Sequence, residues 1–271
     1  MNHPRSPKRI VVGIDGSDAA INAARWAVAE AISHDIPLRL IHAILHRDDA
    51  PAGDESLDIE YAETALHGAA AALHAMGKPV EVETDIVPGT PAGSLVDESR
   101  CAAMVVVGSV GIGRVARKLL GSTADAVAQG SHCPAAILRA GRDDVVPDSA
   151  WIAVVVDDAP GNDAVLEHGF REARLRGAPI LAMGVWRWGL GEIPYEQLDR
   201  RLDRWVSRYR DIHVQPVAAR HGAAEFLAGT EEPVQLAVVG GDVAGEVARI
   251  VGPVAAHLPR RAGHSVLVVP H

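Results

Sequence analysis

The sequence predicts an α/β fold built twice: two doubly wound open parallel five-stranded sheets, arranged as a tandem duplication. Two observations predict the first copy and a third predicts the second. Strand and helix patterns alternate through the first half, and its strands are continuous apolar runs such as Val105-Val106-Val107. Such runs belong to strands buried on both faces, and parallel neighbours need crossover helices. After the charged, turn-rich stretch Gly141–Ser149, the same order of patterns begins again.

Strands are expected over Arg9–Ile14, Leu38–Leu45, Val80–Val87, Ala103–Gly108 and Ala135–Arg139. Helices are expected over Ala19–Ser33, Ser56–Met76, Pro91–Arg100 and Ser122–Gly130. In the second half, Trp151-Ile-Ala-Val-Val-Val156-Asp157-Asp158 echoes Ile10 to Gly16, and Ala178–Leu181 echoes Ile36–Arg39. Leu236–Gly240 echoes Met104–Gly108, and Gly252 through Ser265–Val269 echoes Gly121 through Ala135–Leu138. The two domains are therefore placed at 1–141 and 150–271.

The chemistry lies in the turns. Met104–Val107 runs into Gly108-Ser-Val-Gly111, followed nine residues later by Gly121-Ser122-Thr123. A strand that ends in glycines and leads to a hydroxyl-bearing helix start lets a backbone approach a polyphosphate, and offers it free N–H groups at the positive end of a helix. We expect that helix to be hydroxyl-capped. A second strand-to-turn signal, Ile10–Ile14 followed by Asp15-Gly16-Ser17-Asp18, would end at the same sheet edge, where open parallel sheets bind ligands.

The copies part company at this point. Val243 stands where Gly111 would be, the interval from there to Gly252 is one residue shorter, and Pro253 and Val254 replace Ser122 and Thr123. Proline suits the first helical position but removes a donor and brings no hydroxyl. Asp157 is retained opposite Asp15.

Asp15, the Gly-x2-Gly-x9-Gly-Ser pattern at Gly108, Gly111, Gly121 and Ser122, and the strand entry His132-Cys133-Pro134 resemble the ATP-binding class of universal stress proteins. The duplication resembles its tandem-domain members. The resemblance implies an adenine nucleotide alpha hydrolase-like sheet, order 3-2-1-4-5, with ATP across strands 1 and 4. It implies that Asp15 meets the adenosine end, that the backbone around Ala43 reads the adenine edge, and that Gly13 and Gly108 leave room for the nucleoside. Gly111, Gly121, Ser122 and Thr123 would hold phosphates, with Mg2+ liganded mainly by the phosphates themselves. Arg114, Arg117 and Lys118 would add positive charge, or else stand as solvated surface residues.

The leading functional expectation is a nucleotide-dependent stress-response regulator or sensor, with an unidentified regulatory protein partner. The alternatives are a slow ATPase and an interaction scaffold with little nucleotide dependence. No catalytic residue stands out, because phosphoryl transfer needs an oriented nucleophile and a neutralising group. The phosphate-loop lysine is absent after Gly121.

Composition narrows the classes further. A net charge of −9 argues against nucleic acid and anionic membrane partners. Hydrophobic runs are all shorter than a membrane span, and Met1–Lys8 lacks the apolar region of a signal peptide, so a cytoplasmic location is expected. Cys101 and Cys133 fit neither a metal spacing nor a disulfide framework. His42 and His46 read as a polar pair on a strand, not as metal ligands, and His67 and His74 as a solvent-facing helical stripe. Trp186, Trp188 and Trp205 read as core or interface residues. The run Arg200, Arg201, Arg204, Arg208 and Arg210, interleaved with Asp199, Asp203 and Asp211, reads as an ion-paired helix face. Edge pairing of Ala135–Arg139 and Ser265–Val269 would give an intramolecular pseudo-dimer, and further assembly a homodimer.

Overall fold

A computed structural model describes residues 8–45, 52–111, 120–139, 150–185, 195–252 and 264–270. The chain divides into two compact units, Met1–Ala140 and Gly141–His271. In the first, the elements run β1 (Ile10–Gly13), α1 (Asp18–His34), β2 (Leu38–Ile44), α2 (Ala52–His74), β3 (Val82–Pro88), α3 (Pro91–Glu98), β4 (Met104–Gly108), α4 (Ser122–Gly130) and β5 (Ala135–Leu138). All the strand pairings described in this unit are parallel, in the order β3-β2-β1-β4-β5. The order reverses between β1 and β4, which opens a crevice at their carboxyl ends.

The sheet is apolar on both faces because helices cover both. Ile10, Val12, Leu38, Leu40, Val105, Val106 and Ile137 are buried. Burying each such side chain stabilises the fold by about 1.5–3 kcal/mol. Helix α1 packs on α2, and α3 on α4. Neighbouring residues of β4 point to opposite layers: Val107 approaches the Gly13 and Leu95 side, whereas Gly108 faces Ala19 of α1. The buried face of α1 is made of small residues, Ala20, Ala23, Ala24, Ala27 and Ala31, so the helix lies close to the strands.

The second unit repeats the plan with β6 (Trp151–Val156), α5 (Asn162–Arg176), β7 (Ile180–Gly184), α6 (Tyr195–Arg208), β8 (Val214–Ala218), α7 (Ala223–Gly229), β9 (Val234–Gly240), a 3-10 turn (Gly241–Glu246), α8 (Val247–Val251) and β10 (Ser265–Val269). Its strands pair in parallel as β8-β7-β6-β9-β10. Gly169 of α5 replaces the alanine stripe as the point of close approach, since a Cβ there would lie 2.5 Å from Val154 Cγ2.

Several expectations shift in detail. Helix α2 starts earlier than expected, at Ala52, and β3 starts later, at Val82, because Val80 N–H closes a turn onto Lys78 O at 2.9 Å. The arginine run of α6 pairs across helices instead of along one face: Arg201 and Arg204 meet Asp163 of α5 at 3.2 and 2.8 Å, and Asp211 meets Arg174. Trp205 is buried and stacks on Phe170, their ring centroids 5.8 Å apart. His67 and His74 are exposed on α2. His46, Trp186, Trp188 and the Gly141–Ser149 stretch lie outside the described residues. No helix among the described residues is long and apolar enough to cross a membrane.

The two thiols differ sharply. Cys101 is exposed and Cys133 buried. Burial pushes the Cys133 thiol from its ordinary 9.0 up to about 12. The reactive species is the thiolate, so at pH 8 alkylation of the native protein should label Cys101 and spare Cys133, as read by peptide mass spectrometry. Because the unfolded thiol ionises near 9 while the folded one stays protonated, folding stability should fall as pH rises above about 9.

Candidate functional site

The site begins with two turns at the crevice. After β1, Asp15 Oδ1 accepts from Ser17 N–H at 3.0 Å, and Gly16 takes φ +85°, a conformation that suits glycine. Ser17 then caps α1, its hydroxyl accepting from Ala20 N–H at 3.2 Å. Tyr61 of α2 donates its hydroxyl to Asp15 O at 2.9 Å and fixes the turn from outside. After β4, Gly121 N–H donates to Ser109 O at 2.8 Å, so the two ends of the glycine-rich excursion are tied together.

The turns meet at Gly111. A Cβ on Gly111 would run into Asp15 Oδ2, so glycine is what allows the second turn to cross the first. Between them opens a cavity of about 170 Å3, lined by Gly13, Asp15, Ala43, Gly108, Gly111 and Thr123 among others. Pockets that enclose a drug-sized ligand run to about 300–1,000 Å3, so these walls enclose only part of such a ligand. Ile14, Ile41, Leu95, Val107 and Val110 supply the apolar surface.

Six of the eight residues expected from the sequence thus share one cavity; Gly121 and Ser122 do not line it. Gly121 stands behind the loop, where a Cβ would lie 3.4 Å from Ser109 O, and Ser122 is exposed. The expected hydroxyl cap of α4 is corrected: Gly121 is the N-cap and makes no side-chain cap hydrogen bond. By contrast, α1 and α3 are capped by the hydroxyls of Ser17 and Thr90. The first-turn amides of α4, at Ser122, Thr123 and Ala124, therefore have no side-chain cap over them.

Gly108 and Gly13 serve packing as well as the cavity. A Cβ on Gly108 would lie 2.9 Å from the carbonyl carbon of Ala19, and one on Gly13 2.9 Å from Leu95 Cδ1. The sequence reading overlooked Ser17, Ala20 and Leu95, which resemble ordinary helix positions, and set His42 aside as a strand polar residue. His42 lines the cavity, its ring edge-on to Tyr61 with centroids 5.8 Å apart. Its Nδ1 is buried without a hydrogen-bond partner among the described residues. Arg114, Arg117 and Lys118 lie outside the described residues. No cluster of three or more His, Cys, Asp or Glu suited to a metal ion occurs among the described residues.

A family model described as the universal stress protein family matches residues 7–139. A universal stress protein of Mycobacterium tuberculosis (strain ATCC 25618 / H37Rv) is 49% identical over 262 residues, covering 97% of this chain and 96% of its own. The chain belongs to the universal stress protein family. A second family member from the same strain is 38% identical over 274 residues, covering 99% of this chain and 98% of its own. Among solved structures, a universal stress protein from Archaeoglobus fulgidus matches in fold with a TM-score of 0.70 at 16% identity, covering 97% of this chain and 96% of its own. Another, solved in complex with cAMP, is 28% identical over 50% of this chain and 97% of its own, with a TM-score of 0.40.

The two glycines of the loop should separate packing from ligand approach. Gly108→Ala should lower stability by about 1–3 kcal/mol, because helix backbone must move to admit the methyl. Gly121→Ala should cost less than about 1 kcal/mol, its φ of −70° being open to alanine. Urea denaturation of the two variants measures both.

Proposed function

We propose that the first unit, taken as the domain 1–141, binds ATP, and that occupancy sets the conformation or partners of a stress-response regulator acting in the cytoplasm. The observation that carries this reading is the crossing of the two turns. Asp15 and Gly111 bound a small, largely apolar cavity, and the Thr123 wall leads from it to a helix start without a side-chain cap. An adenine nucleotide has that division: a flat base and ribose for the cavity, and an anionic tail for amides at a helix start.

The residues fit such a ligand in detail. His42 Nδ1 is a buried polar atom without a partner, on the wall where the backbone around Ala43 would read the base. Asp15, already oriented by Ser17 N–H, would accept from a ribose hydroxyl. Gly111 and Thr123 would face the phosphates, with the exposed Ser122 beside them and Gly121 closing the loop behind. A divalent ion would be held mainly by phosphate oxygens.

Hydrolysis is the second reading, and it would need Arg114 or Lys118, from the interval between Gly111 and Gly121, to reach the γ-phosphate. The domain 150–271 would then serve folding and partner contacts, and the chain would assemble as a homodimer.

Calorimetry with Mg-ATP tests the site. Asp15→Glu and Gly111→Val should each weaken binding by roughly tenfold or more, about 1.4 kcal/mol, while their thermal unfolding stays cooperative. Unchanged affinity in both variants would overturn the assignment. In a single-turnover assay, bound ATP should remain intact over hours; steady ADP formation would favour the ATPase reading.

A further inference from the structure

We propose that the second unit is closed to nucleotide, so that each chain carries one adenine nucleotide; the count of one rests on the reading of the first unit given above. The comparison is internal to the chain. Asp157 Oδ1 accepts from Ala159 N–H at 2.8 Å, the same turn that Asp15 makes with Ser17. Counting from these aspartates, Gly13 corresponds to Val155 and Ala20 to Asn162. Gly13 and Ala20 both line the cavity of the first unit.

In the second unit both positions carry larger side chains, Val155 in place of glycine and Asn162 in place of alanine, and both are buried. Asn162 Nδ2 donates to Val155 O at 3.0 Å, so its side chain ties the start of α5 to the strand end. That carbonyl is satisfied from within the protein, and a ligand would have to break the bond and displace a buried valine to enter. Asn162 Oδ1 is buried as well, without a partner among the described residues.

The second turn is closed too. In the first unit the chain leaves β4 as Ser109–Gly111 and crosses over Asp15. In the second it leaves β9 at Gly240 directly into the 3-10 turn and α8, which bury Ala244, Val247, Ile250 and Val251. A valine and an asparagine thus stand where a glycine and an alanine line the cavity of the first unit.

Hydrogen exchange of the full chain with saturating Mg-ATP, together with equilibrium dialysis, tests this. Dialysis should give one equivalent per chain. Protection should appear over residues 13–20, 108–111 and 121–124, with no change over 155–162 and 240–252. In Gly111→Val, affinity should fall roughly tenfold or more with no second class of sites emerging. A second equivalent, ATP-induced protection over 155–162, or a Gly111→Val equivalent whose protection lies over 155–162 and 240–252 would overturn the closed second unit. An intact chain that bound no ATP would overturn the first-unit reading while agreeing with closure of the second, so the two failures are distinguishable.

Discussion

The site depends on one crossing: the turn after β4 passes over the Asp15 carboxylate with no side chain between them. A Cβ at Gly111 would crowd Asp15 Oδ2 and force the carboxylate to turn away. Each turn is fixed separately before they meet. Asp15 is held by Ser17 N–H and, at its carbonyl, by Tyr61, while Gly121 N–H closes the glycine-rich excursion onto Ser109 O. The geometry is therefore set by hydrogen bonds that each have a backbone group at one end, two of them completed by the side chains of Asp15 and Tyr61. This is the preorganisation a binding site needs if ordering costs are not to fall on the ligand.

The duplication acts as an internal control on what the fold requires. Both units keep the parallel order, the strand-end aspartate and the glycine that ends the central strand. They solve helix-to-sheet packing differently, with an alanine face on α1 and with Gly169 beside Phe170 on α5. They diverge most where the first unit has a cavity. Asp157 has a role in turning the chain: its carboxylate holds Ala159 N–H. Asp15 has the same structural duty and, in our reading, a second one toward ribose.

Most of the fold was legible because buried parallel strands are written as unbroken apolar runs; Ser122–Gly130 is recovered to the residue. The edges were less legible. Val80 sits in a turn, and the start of α2 carries no capping signal that the sequence reading recognised. Within the site, glycines and the lone strand-end acid could be read directly, whereas Ala20 and Leu95 were hidden among helix residues that any core would contain. The α4 cap was misread because Ser122 and Thr123 promise a hydroxyl cap, yet the loop closure at Gly121 makes the glycine the N-cap and leaves Ser122 facing solvent. Likewise the arginines of α6 find Asp163 on another helix, a tertiary contact that spacing along one helix does not encode.

The central claim is that the first unit is built for an adenine nucleotide. Acid extraction of the purified chain, after incubation with Mg-ATP and removal of free ligand, followed by chromatographic identification of what is released, tests it most directly. The account predicts intact ATP, retained at one molecule per chain. Release of no nucleotide, with no saturable uptake at millimolar ATP, would contradict it.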